Sequence, residues 1–451
     1  MEKKYRLRFI PLGGIVGVTK NMYLYELYEG NALREILIVD CGVGFPEDPT
    51  KDANYLLPDI DYLRDKTDKI KGILFTHGHE DHISALRYYY KDLGQPPIYA
   101  SKLTALFLED KCKEMGINIK VNVVKYRDDY HLGLFTANFF HMTHSIPDTT
   151  HILIKTPVGN FYHGSDFKFD LTPPYGPPPD FYSITKAGHD GVLCLLSDCL
   201  GSENVGLTES EMIVGKTFDE EMRTTTGQFI MTTFSSSISR IRQCVEAAQK
   251  NGRKVCFVGR SMRQNAKIAM SIGYLPMPNN MVIEEDDIKK NKPSRLCLIV
   301  AGSQGQEESA LSRIADCSHR CIKISKGDKV LISSDPIPGQ ERSVYNLIER
   351  IYAEGADVVY TDIHNELHAS GHGNQEDLKM LVRFTTPKFF CPIGGTIRHQ
   401  RQYLKLCKMM GYDEKQVVLL NEGETVWFEK DKSYLGERIE TKTLFAPSNN
   451  K

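Results

Sequence analysis

The sequence predicts an α/β protein of two domains, and three observations carry that expectation. At 451 residues the chain is longer than one hydrophobic core usually supports. Up to residue 205 it reads as short strands broken by loops, the rhythm of a sheet-rich layer. From residue 206 helices and strands alternate, which argues a parallel sheet with helices on its faces.

The first region offers strands at Leu7–Leu12, Met22–Leu27, Ile36–Val39, Ile70–Phe75 and Val121–Lys125. A hairpin follows, His151–Thr156 and Asn160–His163 around Pro157-Val158-Gly159, and one helix is spaced at Lys102–Met115. In the second region short apolar strands fall at Gln228–Thr233, Val255–Gly259, Leu296–Val300, Val330–Ser333 and Val358–Tyr360. Between them Ile238, Ile241, Val245 and Ala248 recur at helical spacing, as do Val344, Leu347, Ile348 and Ile351. A helix, a strand and a further helix follow residue 372, and residues 441–451 read as a flexible tail.

Apolar residues at 41% and charged residues at 25% are an ordinary globular composition. A net charge of −2 gives no broadly basic surface, so nucleic-acid binding would require locally concentrated Lys and Arg. The eleven Cys contain no C-x-x-C pair; the tightest spacing, Cys317-Ser-His-Arg-Cys321, fits two thiols better than a metal or redox site. No run approaches the roughly 20 apolar residues of a membrane span and the N-terminus lacks a secretory pattern, so a cytoplasmic location is expected.

Chemistry concentrates where the strand ending at Phe75 runs into Thr76-His77-Gly78-His79-Glu80-Asp81-His82. Three imidazoles and a carboxylate within six residues are a metal-ligand pattern. Neutral imidazoles suit a borderline cation such as zinc, and a carboxylate can serve a second ion. Two metals about 3.5 to 4 Å apart can activate water and clamp both the attacking and the leaving oxygen of a hydrolysis. Further ligands must come from elsewhere, and His144 and Asp166 both follow strand-like segments. Asp40, ending Ile36–Val39, suits the orienting partner that a metal-bound imidazole needs on its other nitrogen. His141 and His163 are read as structural. In His368-Ala369-Ser370-Gly371-His372, a hydroxyl, a glycine that allows close approach and a helix start near Asn374 together make a plausible phosphate cradle.

These residues bring a family into view. The sequence resembles the ribonuclease J family, β-CASP members of the metallo-β-lactamase superfamily, over nearly its whole length. The matching segments are Lys20–Met22, Val39–Asp48, His77–His82, His144–Asp148, Gly164–Asp170, Ser197-Asp198, Gly259–Met262, Gly302–Gly305, Pro336–Gly339 and His368–Asp377. The resemblance implies a metallo-β-lactamase αββα sandwich with an inserted β-CASP α/β domain. The expected division is 1–205 and 369–440 for the sandwich, 206–368 for the insert and 441–451 for the tail.

It also implies a ribonuclease acting on single-stranded RNA, by internal cuts and by 5′ to 3′ exonucleolysis, with two divalent metals, zinc or manganese. His77, His79 and His144 would hold one metal, Asp81 and His82 the other, and Asp166 would bridge them. Asp198 and His372 match the first two β-CASP motifs, and with Asp81 they complete the expected catalytic set. A histidine near the scissile phosphate suits a general acid for the leaving oxygen, its pKa tuned by a neighbouring carboxylate. Ser235, Ser236 and Ser237 match a second phosphate-binding segment, although Ser237 stands where the family usually has Asn; the same residues would also cap the helix beginning at Ile238.

Three departures bear on these expectations. Gly394, in Pro392-Ile393-Gly394-Gly395-Thr396, stands where the third β-CASP motif has a histidine ligand of the second metal, so that position should bind more weakly. His399 is the nearest compensating candidate, on a helix expected to point it away. Gly17 replaces a family Glu near the N-terminus. The family's small C-terminal oligomerisation domain has no counterpart before Lys451, so a homodimer is expected in place of a tetramer. The rival to an active nuclease is a weakly active or inactive RNA-binding homologue with a deficient second metal position. A small-molecule esterase would leave the inserted domain and the 368–372 segment without a purpose.

Overall fold

The computed structural model describes residues 4–46, 55–337 and 339–446. Glu47 and Asp48 of one expected family segment, Pro338 of another, and residues 447–451 of the expected tail lie outside the described residues.

Two mixed sheets pack face to face. The first has eight strands in the order Lys432–Leu435, Val426–Glu429, Tyr5–Gly13, Met22–Glu29, Ala32–Val39, Ile70–Leu74, Ile98–Ala100 and Val121–Val123. The second has six, in the order Phe389–Ile393, Cys194–Asp198, Asn160–Gly164, Thr150–Lys155, Phe135–His141 and Asp129–Leu132. Leu7, Phe9, Tyr25 and Leu27 from one sheet meet Phe139, Ile152, Ile154 and Phe161 from the other in a buried layer. Helices cover both outer faces. Lys102–Glu114 brings Leu103, Phe107 and Leu108 against Ile36, Ile38 and Ile73 of the first sheet. On the second, Phe181–Asp190, Gln375–Thr385 and Ile397–Met409 share a cluster with Leu153, Tyr162, Leu195 and Phe390. This is the αββα sandwich.

A third sheet of five parallel strands, Lys254–Val258, Leu296–Val300, Phe229–Thr232, Lys329–Ile332 and Asp357–Val359, is the inserted β-CASP module. It lies between Cys194–Asp198 and Phe389–Ile393, two strands that are parallel neighbours in the second sheet, with Asp198 beside Ile393. The chain thus leaves the sandwich and returns to it at one place.

The structure also contains strands at Asp129–Leu132, Phe135–His141 and Cys194–Asp198 and helices at Phe181–Asp190 and Met212–Thr224, which periodicity alone does not single out. The expected strand Val121–Lys125 ends at Val123. Cys194–Asp198 is buried at every position, so it has no alternation to read.

Asp377 welds the return crossing. Its carboxylate accepts from the amides of Phe169 (2.9 Å), Thr208 (2.9 Å) and Asn374 (3.1 Å), so it joins the loop after Asn160–Gly164, the entry to the module and the start of helix Gln375–Thr385. Asp377→Ala would strand the buried amides of Phe169 and Thr208, while Asn374 keeps the Thr208 hydroxyl as an acceptor, and we expect urea unfolding to register a loss of about 3 kcal/mol.

Candidate active site and metal centre

Strand Ile70–Leu74 delivers the chain to Thr76, whose amide and hydroxyl both donate to Asp40 at 2.9 Å. Asp40, at the end of Ala32–Val39, has φ 59°, and its carboxylate also accepts from His82 Nδ1 at 2.8 Å. One buried carboxylate therefore fixes both ends of the His77–His82 segment.

The tautomers of two histidines, His77 and His144, follow from their partners. Because the Thr76 hydroxyl proton goes to Asp40, His77 Nδ1 (3.0 Å) must donate to the Thr76 oxygen, which leaves the lone pair on His77 Nε2. His144 Nδ1 faces the carbonyl of Gly371 at 2.6 Å and can only donate, so its Nε2 also carries a lone pair. His79 Nε2 lies 3.3 Å from the Ser145 hydroxyl, and its Nδ1 points inward. His77 Nε2 and His144 Nε2 each stand 3.1 Å from His79 Nδ1. Burial holds the rings of His77 and His144 well below the usual histidine range and that of His79 at about 3, so all three are neutral. The lone pairs on His77 Nε2 and His144 Nε2 thus both face His79 Nδ1, and Asp166 approaches His77 and His144 at 3.8 Å to complete the set. The donor set fits a divalent metal.

Gly371 is dictated by this arrangement. A Cβ there would lie 2.6 Å from His144 Cε1, so only glycine brings its carbonyl to His144.

Asp166 also belongs to a second cluster with Asp198 and His372, whose ligand atoms lie within 4.8 Å of one another. His372 Nδ1 is 2.7 Å from Asp198, and its Nε2 is 3.9 Å from Asp166. Burial would lower His372, but Asp198 and Asp166 outweigh it and raise the ring to about 9. Burial raises Asp198 as well, against the opposing pull of the His372 ring. The expected second set, Asp81 and His82 with Asp166, closes from the opposite side: His82 Nε2 is 3.3 Å from Asp166 and 3.7 Å from Asp81. Burial lifts Asp81 to about 6. Burial opposes charge on His82, yet Asp166, Asp81 and Asp40 overcome it and raise the ring well above its ordinary value. This half of the site attracts positive charge.

Gly394 follows strand Phe389–Ile393 at φ +66°, and a Cβ on it would sit 3.5 Å from Asp198 and 3.8 Å from Asp166. A side chain at this position would enter the second cluster. His399 does not fill the gap: its Nδ1 accepts from the Thr396 amide at 3.1 Å and its Nε2 faces Glu203 at 3.5 Å. Gly17 has open space around the position of its absent Cβ.

Of the remaining expected residues, Ser237 is the N-cap of helix Ile238–Lys250, but its buried hydroxyl makes no capping bond and has no partner. Ser235 accepts from Asn265 at 3.1 Å, and Ser236 is buried. His368 and Ala369 are bound to Arg240 at 2.7 and 3.1 Å, and the Ser370 hydroxyl accepts from the His372 amide at 3.1 Å. His163 pairs with the Tyr25 hydroxyl and His141 with the Pro177 carbonyl. Cys317 and Cys321 turn to different acidic partners, Glu354 and Asp286. Sequence reading overlooks Thr76, Arg240 and Asn21, whose amide nitrogen is 3.0 Å from His82 Nε2 and 3.2 Å from the Asp81 carbonyl. Their partners lie up to 129 residues away in the chain, so no local spacing reveals them.

Residues 17–194 match the metallo-β-lactamase superfamily, and residues 226–351 match the β-CASP domain of ribonuclease J. A ribonuclease J of Thermus thermophilus is 38% identical over 92% of this chain and 73% of its own length. The chain belongs to the ribonuclease J family. A ribonuclease J of Synechocystis sp. is 37% identical over 94% of the chain, which spans 66% of that relative's length. A crystal structure of a protein of unknown function from Enterococcus faecalis covers 95% of the chain with a TM-score of 0.61 at 13% identity, a likeness of fold. Family membership and the two candidate metal clusters together support a metal-dependent ribonuclease function. Among the described residues no helix is long and apolar enough to cross a membrane.

Proposed function

We propose that this chain hydrolyses phosphodiester bonds of single-stranded RNA, by internal cleavage and by 5′ to 3′ exonucleolysis. The observation that carries the reading is the convergence of three imidazoles on Asp166, beside His372 held by Asp198. In this reading His77, His79 and His144 would hold one divalent metal and Asp81 and His82 a second, with Asp166 available to either. Zinc fits the imidazole-rich half, and manganese is the alternative. The ions supply Lewis-acid charge and lower the pKa of water. Asp40 orients His82 and, through Thr76, His77. His372 gives its proton to the leaving oxygen, and Asp198 keeps that proton in place. The Ser235–Ser237 and His368–His372 segments bind backbone phosphates, a role supported by the partnerless Ser237 hydroxyl at a helix N-terminus. We assign residues 206–368 to the inserted module and 1–205 with 369–440 to its host. A homodimer rests on the resemblance. Eleven free cysteines, nine of them buried, support a reducing, cytoplasmic setting.

The test is cleavage of 5′-labelled monophosphate and triphosphate RNAs with and without chelator. Cleavage abolished by chelator is expected; an intact substrate under all metal conditions would leave the inactive RNA-binding homologue as the answer.

Gly394 sets the strength of the second metal position. Gly394→His should tighten metal binding there by at least about tenfold, at a cost of about 1 kcal/mol because the φ of +66° is left-handed. Gly394→Ala should show the stability loss without the gain. Equal affinities at both positions in the unmodified protein, measured by chelator competition, would show that another group already fills the place.

A further inference from the structure

Arg240, in the first turn of helix Ile238–Lys250, is 1% exposed. It uses all five of its N–H donors. Nε and Nη2 grip the Glu211 carboxylate at 2.7 and 2.9 Å, and the second Nη2 proton reaches the Ala369 carbonyl at 3.1 Å. Nη1 donates to the Ser333 carbonyl and to His368 Nδ1, both at 2.7 Å. A guanidinium in a protein only donates and does not give up its proton. His368 Nδ1 must therefore be the acceptor, which places the ring's single proton on Nε2.

We infer that Arg240 is a positioning residue that makes His368 a permanently neutral N–H donor to RNA phosphate and ties the two phosphate-binding segments together. This rests on the reading of the cleft as an RNA site. Arg240 follows Ser237 by three residues on one side and holds Ala369 and His368 on the other, so a single planar fork sets the spacing of both segments. His368 Nε2 faces Asp335 at 3.4 Å, on a carboxylate that is 56% exposed and free to yield to a phosphate oxygen. The charged groups around the ring are Arg240, Lys168, His372 and Asp335. Burial together with the first three disfavours a second proton. A neutral donor grips a phosphate by geometry without adding the charge attraction that makes release slow, which suits an enzyme that must pass its substrate along. Sequence alone places Arg240 on an ordinary amphipathic helix.

Selective ¹⁵N labelling of histidine, in chelator, reads the tautomer directly. We expect His368 as the Nε2–H form, unchanged from about pH 6 to about pH 8; an Nδ1–H ring or an imidazolium would overturn the proposal. Arg240→Lys keeps the charge beside Glu211 but loses the fork. Binding of a 5′-monophosphorylated single-stranded RNA, measured in chelator, should weaken about tenfold, with His368 becoming a mixture of tautomers; unchanged affinity would overturn the proposal. Should Arg240→Lys fail to fold, two substitutions at His368 decide. His368→Gln, whose amide reaches the place of Nε2, should bind RNA within about threefold of the unmodified protein, and His368→Asn, which mimics Nδ1, about tenfold more weakly. Equal losses in the two would defeat the assignment. An unmodified protein that does not bind RNA would remove the RNA reading and leave the tautomer lock standing.

Discussion

Replacing His77 and His79 together by alanine is expected to reduce RNA hydrolysis to the level of the chelator-treated protein. These residues contribute two of the three imidazoles that converge beside Asp166, and no other imidazole among the described residues belongs to that cluster. The change should remove one tightly held metal ion per chain, read by elemental analysis after dialysis. It should not unfold the protein. Both residues lie beyond the end of strand Ile70–Leu74, and the anchoring bonds from Asp40 to Thr76 and His82 survive the change. The variant loses the packing of two rings in a loop, so far-UV circular dichroism and cooperative unfolding should persist. Full cleavage by a metal-analysed double variant would show that hydrolysis occurs elsewhere.

His372→Ala should slow the chemical step by roughly 10²- to 10⁴-fold, the usual range for loss of a general acid, with a smaller loss of RNA affinity. The protonated ring is the active form, so the single-turnover rate of the unmodified protein should fall as pH rises through the ring's pKa. Asp198 and Asp166 hold that pKa at about 9 against the opposing effect of burial, and bound cations nearby push it down, so the basic limb should lie at or below about 9. His372→Ala should abolish that limb. An unchanged rate with collapsed affinity would make His372 a phosphate contact, and loss of a metal ion would make it a ligand.

The site was legible in the sequence where chemistry is local. His77, His79, Asp81 and His82 crowd into one loop because a strand end presents them together, and His144 and Asp166 follow strand-like segments, whereas Asp198, at the end of a strand buried at every position, is reached only through the family resemblance. The five parallel strands of the module could be read for the same reason, since each is a short apolar run between helices of strong periodicity. What escaped is relational. Thr76 matters because it stands between Asp40 and His77, and Gly371 because its carbonyl meets a ring 227 positions earlier. Asn138 in strand Phe135–His141 interrupts its apolar pattern; the residue is buried all the same because its amide caps the carbonyls of Arg127 and Asp128. Gly394 was recognised by comparison with a motif, but its left-handed backbone, which sets the cost of restoring a side chain, requires coordinates.

The pairing of Tyr5–Gly13 with Val426–Glu429, and of Cys194–Asp198 with Phe389–Ile393, has a consequence in time. During synthesis the chain emerges from its N-terminus, and the strand that flanks Asp198 is made after the whole inserted module. His77 and His79 are present early, but the carbonyl that orients His144, the ring that would supply the proton and the last strands of the first sheet all come from the final fifth of the sequence. Contacts between distant parts of a chain form late. The candidate site is therefore assembled only once the strand Phe389–Ile393 and the segment that carries Gly371 and His372 have joined the part of the sandwich made before the inserted module.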